Sequence, residues 1–401
     1  MIKRIPIQSL KVGMYISDMN TDWIPHYNYS RQGKIGSDAV IEKIRKLGVH
    51  QIYIDTVKGL DSPDGIPLHE IERDNHRRLL EVGDQTPYNR PRVELAIERD
   101  RADALHGEAK TLINTLMQDV KFGRSINMDA VNEVANGLLD SIFRNHNALS
   151  CLGRIRHKDS YLMEHSVNLS VLMSVYGRYR KLPIEVLQQI MVGALLHDIG
   201  KTKIPDEVLH KPDRLNDAEF EIIKRHALYS KEILEQTEGV SELTIQVAAQ
   251  HHEKMDGSGY PMGLKGEQIS EYGRMTAIVD VYDAITADRV YHRGIPPTAA
   301  MKKLIEWSDH HLDRQLVDIF IQCMGIFPVG SLVEMHSGMM GVVIEINEHD
   351  QTTPTVRLFQ NRKTGQPTPL RVLDLSAPGC QDGIRRALDP IKEGVQLVNF
   401  I

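Results

Sequence analysis

The chain has 401 residues, 41% of them hydrophobic and 25% charged, with a formal net charge of -6. That length suits two to four domains of roughly 100–200 residues each, the composition is that of a globular protein, and the acidic balance excludes the basic field that duplex nucleic acid requires. Three cysteines, Cys151, Cys323 and Cys380, lie far apart without C-x-x-C spacing, and Met1–Pro6 starts no apolar signal core; with no run of transmembrane length, a reducing, cytoplasmic setting without a membrane partner is expected.

Residues 1–60 hold short apolar runs, Ile5-Pro6-Ile7, Val12 to Ile16 and Gln51 to Ile54, around a helical pattern from Ala39 to Leu47 that stops at Gly48. They read as a small α+β domain. Residues 61–98 carry Pro63, Gly65, Pro67, Pro87 and Pro91 among many charges and read as a linker. Residues 99–149 read as connecting helices, through Leu112, Ile113, Leu116 and Val120, then Val134, Leu138, Leu139 and Ile142. Helix follows helix over 150–327. From 328 to 401 the alternation in Ser331 to Val333, Gly341 to Ile346, Thr355 to Phe359 and Leu370 to Leu373 predicts a short β-rich tail. The expected fold class is therefore mainly α, with a small N-terminal α+β domain and a β-rich C-terminal region.

Within 150–327, five helical stripes each carry a metal-ligating residue type. Leu162, His165, Leu169, Leu172 and Tyr176 follow i, i+3, i+4 spacing. Pro183 suits a first turn, and Leu187, Met191 and Ala194 lead onto His197-Asp198, with Gly200 as the stop. Asn216 and Glu219 form a capping-box pair ahead of Ile222, His226, Tyr229 and Ile233. A fourth helix starts near Ser241 and runs through Ile245 and Ala248 to His251-His252. On the fifth, Thr276, Ala277, Ala284 and Ala287 are small, and a charged Asp280 among them costs several kcal/mol unless it is paired or bound to metal. A lone histidine on an apolar face is ordinarily a hydrogen-bonded core residue, and Asp280 could pair with Arg274 or Arg289. The doublets His197-Asp198 and His251-His252 are hard to explain as packing. Neutral imidazole with carboxylate is the ligand set of iron, manganese, zinc or nickel.

At these positions the chain resembles the HD-GYP phosphodiesterases, a subgroup of the HD metal-dependent phosphohydrolases. The resemblance covers roughly residues 150–327. It rests on Lys158 to His165-Ser166, Leu196-His197-Asp198-Ile199-Gly200-Lys201, His226, His251-His252-Glu253 with Asp256-Gly257-Ser258-Gly259-Tyr260-Pro261, and Asp280 to Ala284 with Arg289 and Tyr291. Residues 3–57 resemble the small domain commonly found ahead of it, through Leu10 to Tyr15 and Trp23.

The resemblance implies an all-helical HD-type metallophosphohydrolase domain. It implies hydrolysis of 3′,5′-cyclic dinucleotides, cyclic di-GMP first and 3′3′-cyclic GMP-AMP close behind, to a linear 5′-phosphorylated dinucleotide. By position, the metal ligands are His165, His197, Asp198, His226, His251, His252 and Asp280, with Asp198 bridging. Members with a third metal carry Glu four residues before the first histidine; here that residue is Tyr161, so two divalent ions are expected, iron or manganese first, zinc or nickel also compatible. Glu164 is expected on the surface. Lys201 is expected to place a point charge on the scissile phosphate. Arg289 matches a phosphate-contacting arginine, Arg293 stands beside His292 where the family has its second cation, and Tyr260 lines the substrate pocket. Asp283 either orients a metal-bound histidine or lies on a helix surface. The Gly257–Pro261 loop either shapes the pocket edge or meets diguanylate-cyclase-type proteins. A homodimer is compatible.

A hydroxide shared by two metals would attack phosphorus in line, with the metals offsetting charge on the non-bridging oxygens. The competing reading is a catalytically silent receptor for the dinucleotide. Loss of a metal ligand is the usual sign of that, and none of the seven is missing. An HD-type nucleotidase is disfavoured by the GYP run and by His251-His252.

Overall fold

The structure is a computed structural model that describes residues 1–21, 32–83, 93–153, 161–211, 215–287, 294–347, 350–390 and 392–400. Trp23 and residues 158–160, used in the resemblance, lie outside the described residues.

The N-terminal unit is built from β1 (Ile2–Pro6), β2 (Tyr15–Asp18), β3 (Gly33–Lys34), α1 (Asp38–Arg45), β4 (Gln51–Asp55) and β5 (Ile66–Pro67). Its sheet is antiparallel in the order β3-β2-β4-β1-β5, and Ile5 faces Ile52 across the central pair. Strand alternation places Ile5, Ile16, Ile52 and Ile54 on one face, where Ile41 and Ile44 of α1 close the core.

The segment read as a linker is not one throughout. Residues Leu68–Gly83 form α2, whose Leu79 is fully buried in the main helical core and whose Arg78 meets Asp318 at 2.8 Å. Its apolar stripe is thin, so the surrounding prolines dominated the pattern; yet Pro63 and Pro67 precede the helix, and Pro87 and Pro91 lie outside the described residues.

Two long helices, α3 (Leu95–Lys121) and α4 (Met128–Leu152), follow as anticipated. The α4 helix breaks at Asn145, which leaves helical geometry at φ -157°, and its side-chain amide donates to Val93 O at 2.9 Å. That break turns the chain into the bundle of α5 (Tyr161–Tyr179), α6 (Ile184–Leu196), α7 (Asp206–Leu209), α8 (Asp217–Glu235), α9 (Glu242–Gln250), α10 (Glu271–Thr286), α11 (Pro297–Trp307) and α12 (Arg314–Met324). The caps are local and readable. Asn216 and Glu219 make the reciprocal capping box of α8, and Ser241 caps α9 through the Thr244 amide.

The C-terminal region is a five-stranded antiparallel sheet in the order β10-β6-β7-β8-β9, made of β6 (Leu332–Met335), β7 (Met339–Glu345), β8 (Thr355–Asn361), β9 (Pro367–Asp374) and β10 (Ile384–Ala387). The β10 strand escaped the sequence reading because two of its four residues are arginines, of which Arg386 pairs with Glu334 at 2.8 Å. The three cysteines are free. The protein is mainly helical, and among the described residues no helix is long and apolar enough to cross a membrane.

Candidate metal centre

Five helices bring His165, His197, Asp198, His226, His251 and Asp280 into one buried cluster, with His252 at its rim. His197 caps the end of α6, Asp198 begins the tight turn that follows, and that turn lies against α8. Gly200 permits the approach: a Cβ there would run into the His226 carbonyl and the Ser230 amide. The Ser230 hydroxyl locks the turn, donating to His197 O at 2.6 Å and accepting from Gly200 N at 2.9 Å.

Three imidazoles are oriented the same way. The Nδ1 atoms of His197, His226 and His251 lie 2.8, 2.7 and 2.7 Å from the carbonyls of Ala194, Ile223 and Ala248, each three residues earlier on its own helix. A carbonyl only accepts, so these Nδ1 atoms carry the protons and each Nε2 presents a lone pair. Those lone pairs converge. His226 Nε2 lies 3.2 Å from His251 Nε2, and His197 Nε2 lies 3.2 Å from His165 Nε2. Asp198 Oδ1 is buried with no hydrogen-bond partner among the described residues and has His226 Nε2 3.3 Å away. Asp280 Oδ1 is 3.1 Å from His165 Nε2, and Asp280 Oδ2 is 3.6 Å from His252 Nδ1.

Burial sets the protonation states. It pushes His226 down to about 4 and His251 down to about 3, and lowers His252 as well. All three are neutral near pH 7, the form that binds metal. Asp198 is buried too, but the Lys201 ammonium 2.6 Å away holds its carboxyl well below the usual range. Burial opposes a charge on His165, yet hydrogen bonds with Asp280 and Asp283 raise its pKa.

Asp283 is fully buried, its Oδ2 2.7 Å from His165 Nδ1 and its Oδ1 accepting from the Asn168 amide, so it orients the His165 ring instead of facing solvent. Asn168 went unremarked in the sequence; its signal was its place one turn beyond His165. Arg274 pairs with Asp313 at 2.7 Å, leaving Asp280 to the histidines. Glu164 is not a surface residue. It is 2% exposed, because α3 covers that side of α5 and brings Lys110 to 3.7 Å. Lys201 reaches the centre, its ammonium 2.6 Å from Asp198 Oδ2. The Tyr260 ring lies 4.6 Å from that of His252, and Glu253 holds the loop by accepting from the Met262 and Leu264 amides at 2.7 and 2.8 Å. Arg289, Tyr291, His292, Arg293 and the Tyr161 side chain lie outside the described residues.

A cavity of about 510 Å³ opens onto His251, His252 and Tyr260, the size range of small-molecule sites. A second His/Asp group, His50, Asp256 and His311, lies at the seam with the N-terminal domain and was not anticipated.

A family described as an HD domain matches residues 152–316, and a domain of unknown function matches residues 2–131. The chain is 35% identical to a cyclic di-GMP phosphodiesterase of Pseudomonas aeruginosa over 385 residues, 96% of this chain and 91% of that protein. It is 35% identical to a 3′3′-cGAMP-specific phosphodiesterase of Vibrio cholerae over 166 residues, 41% of this chain and 38% of that one. A solved HD-GYP protein of Bdellovibrio bacteriovorus is 18% identical with a TM-score of 0.47, covering 80% of this chain and 98% of that one. With a cyclic di-GMP phosphodiesterase alignable over nearly its whole length and the His/Asp cluster inside the matched HD domain, the chain belongs to the HD-GYP cyclic-dinucleotide phosphodiesterases.

Proposed function

We propose that the protein hydrolyses cyclic di-GMP first and 3′3′-cyclic GMP-AMP second, each to a linear dinucleotide with a 5′-phosphate. The residues fit two divalent ions. His165, His197, Asp198 and Asp280 would hold one; Asp198, His226, His251 and His252 would hold the other. The observation that carries this is the pairing of the His226 and His251 Nε2 lone pairs at 3.2 Å beside an unbonded carboxylate oxygen. Without a cation such an arrangement is repulsive; with one, every lone pair has a partner.

Iron or manganese suits these nitrogen and oxygen ligands, and bound there it supplies Lewis acidity that makes water nucleophilic near neutral pH and offsets charge at phosphorus. The protein's own groups do the rest. Asp198, held ionised, anchors the middle of the site. Lys201, already at Asp198, sets a positive charge beside the scissile phosphate and stabilises its non-bridging oxygens as water attacks in line and the ribose 3′-oxygen leaves. Tyr260, leaning on His252, forms a wall for the nucleoside. Arg289 and Arg293 remain assigned to phosphate contact on the resemblance alone.

The test is chromatographic product analysis with both cyclic dinucleotides side by side, manganese or ferrous iron supplied, alongside elemental analysis of the purified protein. Linear product with about two ions per chain is expected. Tight binding with no product would instead favour a receptor.

A further inference from the structure

The N-terminal domain is not a remote appendage. Its Tyr53 hydroxyl and Asn20 amide donate to Glu306 of α11 at 2.7 and 3.0 Å, and Trp307 Nε1 donates to Asn20 Oδ1 at 3.1 Å. Gly48, at φ +72°, abuts Ser258 so closely that an added Cβ would lie 3.0 Å from its side chain. His50 Nε2 meets Asp256 Oδ2 at 2.7 Å. The DGSGYP loop is thus clamped from the N-terminal side, and the end of α1 becomes a wall of the cavity that opens onto His251 and His252.

That wall is basic. Lys43, Arg45 and Lys46 fall within four positions and all line the cavity. A short helix needs about half a charge to offset its C-terminal dipole, so three cations exceed that need. Arg45 is spent on Glu42 at 2.7 Å, whereas Lys43 and Lys46 are in no ion pair among the described residues. Acidic side chains of the same cavity are engaged: Glu221 pairs with Lys224 at 2.5 Å, and Glu253 accepts backbone amides. In a chain of net charge -6, two uncommitted ammonium groups are gathered beside the metal centre.

A cyclic dinucleotide carries two phosphodiesters, one negative charge each. When one is at the metal centre, the other lies in the same cavity and needs a counter-charge. We propose that Lys43 and Lys46 form a subsite for this second, non-scissile phosphodiester, so that the N-terminal domain completes the substrate pocket of the catalytic domain. The inference rests on the reading of the bundle as the site where one of the two phosphodiesters is cut.

The experiment compares the full-length protein with K43A/K46A and with K43R/K46R. Binding is read as the Kd of a non-hydrolysed phosphorothioate analogue of cyclic di-GMP. Turnover is read as KM and kcat on cyclic di-GMP and on bis(4-nitrophenyl) phosphate, which has a single phosphodiester. In K43A/K46A the Kd and KM for the cyclic dinucleotide rise about tenfold or more. The loss is far smaller on the single diester, kcat changes little, and K43R/K46R recovers binding. The difference between wild type and K43A/K46A shrinks as salt rises. Unchanged Kd in K43A/K46A overturns the subsite. Equal loss on both turnover substrates also overturns it, because the wall would then merely support the metal centre. A wild type that binds the analogue but makes no linear product would defeat the catalytic reading, while the Kd comparison would still decide the subsite.

Discussion

Two groups of histidine and aspartate can be compared within this molecule. Inside the bundle, His197, His226 and His251 give their Nδ1 protons to helix carbonyls and turn their Nε2 lone pairs on one another and on Asp198. At the seam, Asp256 Oδ2 stands 2.7 Å from His50 Nε2, so the carboxylate is the acceptor for that ring, and 3.3 Å from His311 Nδ1. Burial works against the charge on Asp256, yet these two rings and Ser258 hold its carboxyl well below its ordinary range. The residue types are the same and the surroundings differ: in the bundle ring nitrogens face one another, whereas at the seam a carboxylate faces the His50 ring. Ligand type alone does not mark a metal centre; what the far nitrogen of each ring is bonded to does.

The sharpest way to break this contrast is Asp198→Ala. It removes the carboxylate shared by both halves of the inner cluster, so metal content and turnover should fall together, the rate by about a thousandfold or more. Circular dichroism should keep its helical signal, because Asp198 sits in a turn and not in a helix. Retained metal and rate would end the assignment. Next in size is Asp283→Asn, which keeps the shape but loses the charge holding His165 Nδ1 at 2.7 Å. Metal affinity should drop about 10- to 100-fold, and excess manganese should restore kcat. A merely structural role would not be rescued by metal.

The cluster was legible because each candidate ligand sits at a helix position whose neighbours declare it. His165 shares a stripe with Leu169 and Leu172, His226 follows a capping box, and the two doublets fall at helix ends. Its supports were less so. Whether Asp283 faced His165 or solvent depended on how α10 packs on α5, and Glu164 looked exposed until α3 covered it. Pairing across distant elements was invisible: nothing near His50 in the chain announces Asp256, and no local period reveals that Lys43 and Lys46 border the cavity. The α2 helix was missed because its core contact, Leu79, is one residue in a charged segment whose flanking prolines look like a linker's.

Acid offers a smaller test of the inner rings. In the metal-free protein His226 and His251 stay neutral down to about 4 and about 3, while unfolded histidine protonates near 6.5. Below about 6.5 the unfolded chain therefore binds more protons, and stability falls as pH drops toward 4. His165 works the other way, since its raised pKa gives stability present at low pH and lost as pH rises through it. Three lowered rings, His226, His251 and His252, outweigh one raised ring, so the Tm of metal-free protein should fall by about 5 °C between pH 7 and pH 5. Asp256 adds nothing in that window, because its carboxyl stays ionised throughout. Scanning calorimetry across that range decides it, and a flat Tm would mean that the inner rings are not held neutral.

The mildest perturbation falls on the seam. His50→Ala deletes one ring whose side chain is 36% exposed and whose bond to Asp256 is shared with solvent. The loss should be about 1 kcal/mol or less, a Tm change of about 2 °C at most. Asp256 keeps His311 at 3.3 Å and the Ser258 amide at 2.9 Å, so the loop stays anchored. Elemental analysis should give the same metal content as wild type, since His50 Nε2 faces a carboxylate at 2.7 Å and not another ring nitrogen. Were His50→Ala to lose metal as Asp198→Ala is expected to, the seam would be a ligand set in its own right, and carbonyl-bound Nδ1 atoms would no longer distinguish the two groups.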